Sequence, residues 1–143
     1  MAVKTTKMRK EADLLGTLEI PADALYGVQA ARGFENFKIS NVPMYRYPNF
    51  IKGFAYTKWG AAIANNQINP KRVDKKQLDA IVKACKEIIA GQHHDAFASD
   101  MIQGGAGTTM NMNANEVIAN RALQIMGHNP GENQYCNPND HVN

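Results

Sequence analysis

The chain has 143 residues, 44% of them apolar, and carries 16 Lys and Arg against 13 Asp and Glu, a formal charge of +3. That length fits one domain or part of one, and the small positive excess, concentrated near the first ten residues, argues against a nucleic-acid footprint. No apolar run reaches the roughly 18 residues of a membrane-spanning helix.

The basic start lacks the apolar segment of a signal peptide. Cys85 and Cys136 lie far apart with no C-x-x-C or histidine partner pattern, which argues against a zinc site or a disulfide framework. A reducing, cytoplasmic location is therefore expected, with no metal and no cofactor.

Residues 1–12 (MAVKTTKMRKEA) have nothing to bury and read as a flexible arm, so the folded domain is expected over residues 13–143. In D-L-L-G-T-L-E-I-P, Gly16 marks a turn, and Thr17 to Ile20 form a short extended segment halted before Pro21, a small β-hairpin or irregular cap. Asp23 is placed to cap a helix running to Asn36, with Ala24, Leu25, Val28, Ala31, Gly33 and Phe34 sharing a face. Pro43 and Pro48 bracket an extended surface crossing that carries Tyr45 and Tyr47. Asn49 then predicts an N-cap and a helix over residues 50–66, with Phe50, Phe54, Ala55, Ala61 and Ala62 roughly on one side.

The third helix is the clearest in the sequence. Asp74 and Gln77 have capping-box spacing, and Leu78, Ile81, Val82, Cys85, Ile88 and Ile89 keep helical period up to a stop at Gly91. Lys75, Lys76, Lys83, Lys86 and Glu87 fall on its outer face. His93 and His94, adjacent on an extended chain, point opposite ways and read as structural rather than as ligands of one metal. A last helix over residues 109–126 sets Ala114, Val117, Ile118, Ala122, Ile125 and Met126 inward, and Glu116, Asn120, Arg121 and Gln124 outward. The tail from residue 128 is polar and turn-rich. Wide apolar helix faces without a completed stripe read as the first domain of a longer protein, mainly α.

Ahead of the last helix stands Q-G-G-A-G-T-T (103–109). Gly104, Gly105 and Gly107 let main-chain N–H groups approach a ligand that a β-carbon would obstruct. A helix beginning here leaves unpaired N–H groups and the positive end of its dipole facing the loop. A small carboxylate fits that environment without needing an arginine. The spacing is wrong for the dinucleotide motif G-x-G-x-x-G, and no lysine follows Lys86, which excludes a Walker phosphate loop. A structural reading, in which the glycines permit tight packing at a helix start, stays open. Asn111, Asn113, Asn115 and Asn120 weigh against it, because asparagine is a poor helix former whose use is hydrogen bonding.

Three stretches in order carry a resemblance. Q-G-G-A-G-T-T-M-N-M-N-A-N-E-V-I-A-N-R-A (103–122) resembles the first shared region of the aspartase/fumarase superfamily. D-L-L-G-T-L-E-I-P-A-D-A-L-Y-G-V-Q-A-A-R-G-F-E-N-F-K-I-S (13–40) resembles the opening of these enzymes, and N-P-N-D-H-V-N (137–143) the start of their second shared region. Within the superfamily the loop is similar to the aspartate ammonia-lyase branch, since Ala106 stands where fumarases carry serine. A fumarase is the second reading. A non-catalytic binding or assembly domain, meeting a partner through Thr5 to Lys10 and the lysine-rich third helix, is a third.

The resemblance implies reversible deamination of L-aspartate to fumarate and ammonia by anti elimination through an aci-carboxylate intermediate. It implies a small helical N-terminal domain with a short β-hairpin or extended segment near the start, lacking the superfamily's central bundle of long helices. Thr108 matches the threonine that contacts substrate, Gly107 and Ala106 offer backbone, and Thr109, Asn111 and Asn113 complete the implied substrate-binding set. Arg32 matches an arginine of the opening motif, with a structural pairing as the competing role. Residues 137–140 align with a secondary dicarboxylate site of fumarases, but Asn137 replaces the usual histidine. The superfamily builds each site from three subunits of a homotetramer. Its base-bearing serine loop does not occur in these residues, so the chain alone is expected to be inactive.

Overall fold

The computed structural model describes residues 7–143. Strands β1 (Met8–Asp13) and β2 (Gly16–Pro21) pair antiparallel, with Met8 opposite Pro21 and Asp13 opposite Gly16. The expected arm over residues 1–12 is thus corrected from Met8 onwards, and its first six residues lie outside the described ones. The polar strand holds because Arg9 donates to the carbonyls of Pro21, Ala22, Ala24 and Tyr26 and pairs with Glu11 at 2.7 Å.

Helix α1 (Val28–Asn36) begins later than expected. Asp23 is exposed and does not cap it; Gly27 is the N-cap and contributes no side chain. The missing acceptors come from elsewhere in the chain: Glu116 accepts from the N–H groups of Gly27, Gln29 and Ala30, each at 2.9 Å, and Glu11 from that of Val28 at 3.0 Å.

The crossing from residue 37 to 47 ends in a single 3-10 turn, Met44–Arg46. Helix α2 (Pro48–Ile68) starts at Pro48, whose absent N–H costs nothing in the first turn, so Asn49 is inside the helix and not its cap. Its inner face is Ile51, Ala55, Lys58 and Ala62, whereas Phe50 is 41% exposed. Helix α3 (Lys75–Ile89) has both bonds of the predicted capping box, Gln77 N–H to Asp74 at 2.8 Å and Asp74 N–H to Gln77 at 3.0 Å. Helix α4 (Thr108–Ile125) matches the expected last helix within a residue at each end. A single π-helical turn, Pro138–Val142, closes the described chain.

Helix α4 is the axis of the fold, with α1, α2, α3 and the π-helical turn packed around it. Ile51, Ile81, Ile88, Phe97, Val117, Ile118, Leu123 and Val142 are fully buried in one continuous core. Each such side chain contributes about 1.5–3 kcal/mol of transfer free energy. Because α4 is surrounded, Glu116 and Asn120, expected to point outward, are each only 3% exposed. The architecture is mainly α with one short hairpin near the start, as the sequence predicts. Among the described residues no helix is long and apolar enough to cross a membrane.

Candidate functional site

The glycine loop is placed by two polar anchors just before it. The Asp100 carboxylate accepts from the N–H groups of Ile39 (3.1 Å), Ser40 (2.9 Å), Asn41 (2.9 Å) and Ile102 (2.8 Å), and from the Ser40 hydroxyl (2.5 Å). Those donors, the Ser40 hydroxyl foremost, hold its carboxyl down to about 2 against the cost of desolvation. The crossing after α1 is thereby fastened to the segment entering the loop, and Met101 N–H donates to Val42 O at 2.9 Å alongside. The second anchor is Ser99, whose N–H and hydroxyl both donate to Asn113 on α4.

Within the loop, Gly105 and Gly107 have φ of +70° and +79°, a region that only glycine enters cheaply. Gly107 is the N-cap of α4. Gln103 folds over the turn, its amide oxygen accepting from Met110 N–H at 3.1 Å, so one free amide of the helix start is used internally. The amides of Thr108 and Thr109 have no acceptor among the described residues, and Thr108 itself is exposed. Unpaired N–H groups at a helix start carry partial positive charge into that space.

The six residues expected to bind substrate take different directions. Ala106 and Thr108 lie exposed on the loop, with Gly107 half-buried between them. Thr109 turns toward α1, where Gly33 leaves room for its methyl group: a Cβ there would fall 2.1 Å from Thr109 Cγ2. Asn111 turns toward α2, accepting from Lys58 Nζ at 2.7 Å and donating to Asn143 at 3.1 Å. Asn113 is fully buried; its oxygen accepts from Ser99 and its nitrogen donates to Ala96 O at 2.9 Å. Asn113 therefore supports the loop from beneath, with both ends of its amide committed.

A cleft of about 660 Å³ opens beside the loop, between the hairpin, α1, α4 and residues 133–139. Arg32, Thr109, Glu116, Asn120, Asn137 and Asn139 face it. Arg32 is held by a bidentate pair with Asp13, both bonds at 2.9 Å, which ties α1 to the hairpin. Asn137 accepts from the N–H groups of Asn139 (2.8 Å) and Asp140 (3.2 Å), capping the π-helical turn, so its side-chain oxygen is already occupied. Burial pushes the Glu116 carboxyl up to about 7, opposed by its three backbone donors and reinforced by the neighbouring Glu11.

His93 and His94 take separate partners. His93 Nε2 lies 3.1 Å from Glu87, which also pairs with Arg121, and His94 Nε2 lies 2.8 Å from Ile88 O. Lys58, Asp100, Gln103 and Glu116 were not singled out by the sequence as parts of the site. Of these, Gln103 opens the quoted loop motif without a role assigned to it, and Glu116 gave a signal as an acid within the apolar-rich run A-N-E-V-I-A.

A family model described as a lyase matches residues 16–143. The aspartate ammonia-lyase of Helicobacter pylori strain J99 is 53% identical over 136 residues, 95% of this chain and 29% of that protein. That of Escherichia coli K12 is 49% identical over 140 residues, 97% of this chain and 29% of that protein. Among solved structures, the fumarate lyase:delta crystallin from Brucella melitensis in native form superposes with a TM-score of 0.92 at 44% identity, covering 96% of this chain and 31% of that one. A class II fumarase from Schistosoma mansoni gives 0.83 at 37% identity, covering 96% and 28%. The chain thus spans 29% of the length of these curated relatives.

Proposed function

This chain belongs to the lyase family, within the aspartase/fumarase superfamily, and from that premise we propose that it is the N-terminal portion of an aspartate ammonia-lyase that presents a carboxylate-binding turn to L-aspartate. The observation that carries the reading is the turn at Gly107 and the exposed Thr108, where α4 begins with two N–H groups free of internal acceptors. In the proposed reaction a base removes a β-proton beside the carboxylate, the electron pair moves onto that carboxylate as an aci-carboxylate dianion, and ammonia leaves to give fumarate. The extra negative charge needs fixed donors already in place. Thr108, with the main chain of Ala106 and Gly107, supplies them, and Thr109 orients the turn against α1.

Asn111 and Asn113 act in this scheme by fixing the turn; their amides are engaged with Lys58, Asn143, Ser99 and Ala96. The working enzyme is a cytoplasmic homotetramer with sites shared between subunits. The names of the curated relatives favour the ammonia-lyase over the fumarase reading, as does Ala106 in the loop.

None of the 143 residues belongs to a base-bearing serine loop of the superfamily type, so the chain by itself is expected not to turn over. Absorbance at 240 nm follows fumarate formation from L-aspartate. Activity is expected from the longest polypeptide that the reading frame encodes and none from this chain. Fumarate release by the isolated chain would refute its inactivity, and absence of release from aspartate by the longest polypeptide would refute the activity.

A further inference from the structure

Lys58 sits in the middle of α2 and is 7% exposed, yet it forms no ion pair among the described residues. Its Nζ donates to Asn111 Oδ1 at 2.7 Å and to Asn143 Oδ1 at 3.2 Å, and Asn111 Nδ2 closes the triangle by donating to Asn143 Oδ1 at 3.1 Å. An ammonium has three N–H donors, and the third finds no acceptor among the described residues. The ammonium lies at the wall of a cleft of about 350 Å³ between α2 and the first turns of α4, lined also by Asn49, Phe50, Phe54 and Thr57.

The titratable group facing Lys58 is the Cys85 thiol on α3. Burial pushes that thiol up to about 12, so it stays neutral and supplies no counter-charge. A buried cation lacking an anion is costly, and a fold keeps one where its bonds or its charge are used. Here both lead to the loop. Asn111 stands three residues beyond Thr108, on the same side of the first turn of α4, and its own N–H donates to Gly107 O at 3.3 Å.

We propose that Lys58 is a positioning residue of the carboxylate-binding turn: with Asn111 and Asn143 it locks the start of α4 to α2, and it sets an uncompensated positive charge beneath Thr108 that strengthens dicarboxylate binding. The inference rests on the reading of Gly104 to Thr109 as that turn. Main-chain amides and a helix dipole offer only partial charges, whereas Lys58 adds a whole one, in a wall where solvent screening is weak.

The test measures succinate affinity by titration calorimetry across neutral to alkaline pH, in the longest polypeptide encoded by the reading frame. In the unaltered protein, affinity falls at a pH below the ordinary lysine range, because burial lowers the Lys58 pKa. Lys58→Met, which keeps the apolar stem, is expected to weaken binding about tenfold or more at neutral pH and to abolish that alkaline fall. Asn111→Asp hands the ammonium an anionic partner and keeps the bond from Lys58, giving up only the donation to Asn143, and is expected to weaken binding comparably with an unchanged circular dichroism spectrum. It serves where Lys58→Met does not fold. Thr108→Val separates the two ideas. If it binds succinate like the unaltered protein, the turn itself is misread. If it loses binding while the Lys58 and Asn111 variants keep normal affinity and the alkaline fall, the role of Lys58 is overturned and the turn stands.

Discussion

Glu116→Gln tests whether a buried carboxyl on α4 makes the stability of this chain depend on pH. The Glu116 side chain is 3% exposed and its pKa is raised from 4.5 to about 7, with desolvation the largest cause. The folded state therefore binds this proton more tightly than the unfolded chain does. The stability so gained is fully present below about pH 4.5 and is lost as the pH rises through about 7. A shift of that size corresponds to about 3 kcal/mol. In the Gln variant one oxygen can still receive Gly27 and Ala30 N–H, but the amide nitrogen faces Gln29 N–H as donor against donor, a pH-independent loss of about 1 kcal/mol. Urea unfolding followed by circular dichroism, at steps from pH 4.5 to 7, reads the difference between the two proteins. His141, whose pKa burial lowers, acts with the opposite sign but equally in both, and cancels. The stability advantage of the unaltered chain should shrink by about 3 kcal/mol over that window. A difference constant with pH would show that the carboxyl is ionised throughout, and the reasoning would fail.

Gly33→Ala should cost about 1–3 kcal/mol in the same unfolding assay, because the new Cβ overlaps Thr109 Cγ2. Adding Thr109→Ser removes that methyl group and should return most of the loss. Asp74→Ala removes the acceptor of the α3 capping box and should lower stability by about 1 kcal/mol, read as a lower urea midpoint with unchanged slope.

Helix α3 was legible because its signals are local: a capping box, a regular apolar period and a glycine stop lie within 18 residues of sequence, and packing had only to agree with them. The start of α1 was not legible. Its N-terminal donors are satisfied by Glu116, 86 to 89 residues away, and by Glu11, 17 away, whereas the local candidate Asp23 is unused. Strand β1 reads as a polar arm for the same reason, since Arg9 and Glu11 find their partners only once β2 and α1 are folded beside it. On α2 the sequence pattern favoured Phe50 over Lys58 for the inner face. The structure reverses them because Lys58 has Asn111 and Asn143 to receive its charge. At the loop, the glycine pattern predicted the turn and its free amides. It did not predict that Asn113 would be sealed inside or that Gln103 would cover one N–H group.

The asparagines of α4 show why such a helix retains poor helix formers. A helix surrounded on every side has no solvent face, so each polar residue on it must meet a group from a different neighbour. Asn111 meets Lys58 of α2, Asn113 meets the segment at Ala96 and Ser99, and Asn120 meets Leu25 O and Gly131 N–H, both at 2.8 Å. Glu116 adds α1. Asn115 is the exception, its buried oxygen lacking a partner among the described residues. Since each bond reaches a separate part of the chain, the direction in which Gly107 and Thr108 face is fixed by several independent contacts rather than by the flexible glycines. The turn proposed to bind a carboxylate is then both open and stiff, because its stiffness resides in the helix behind it.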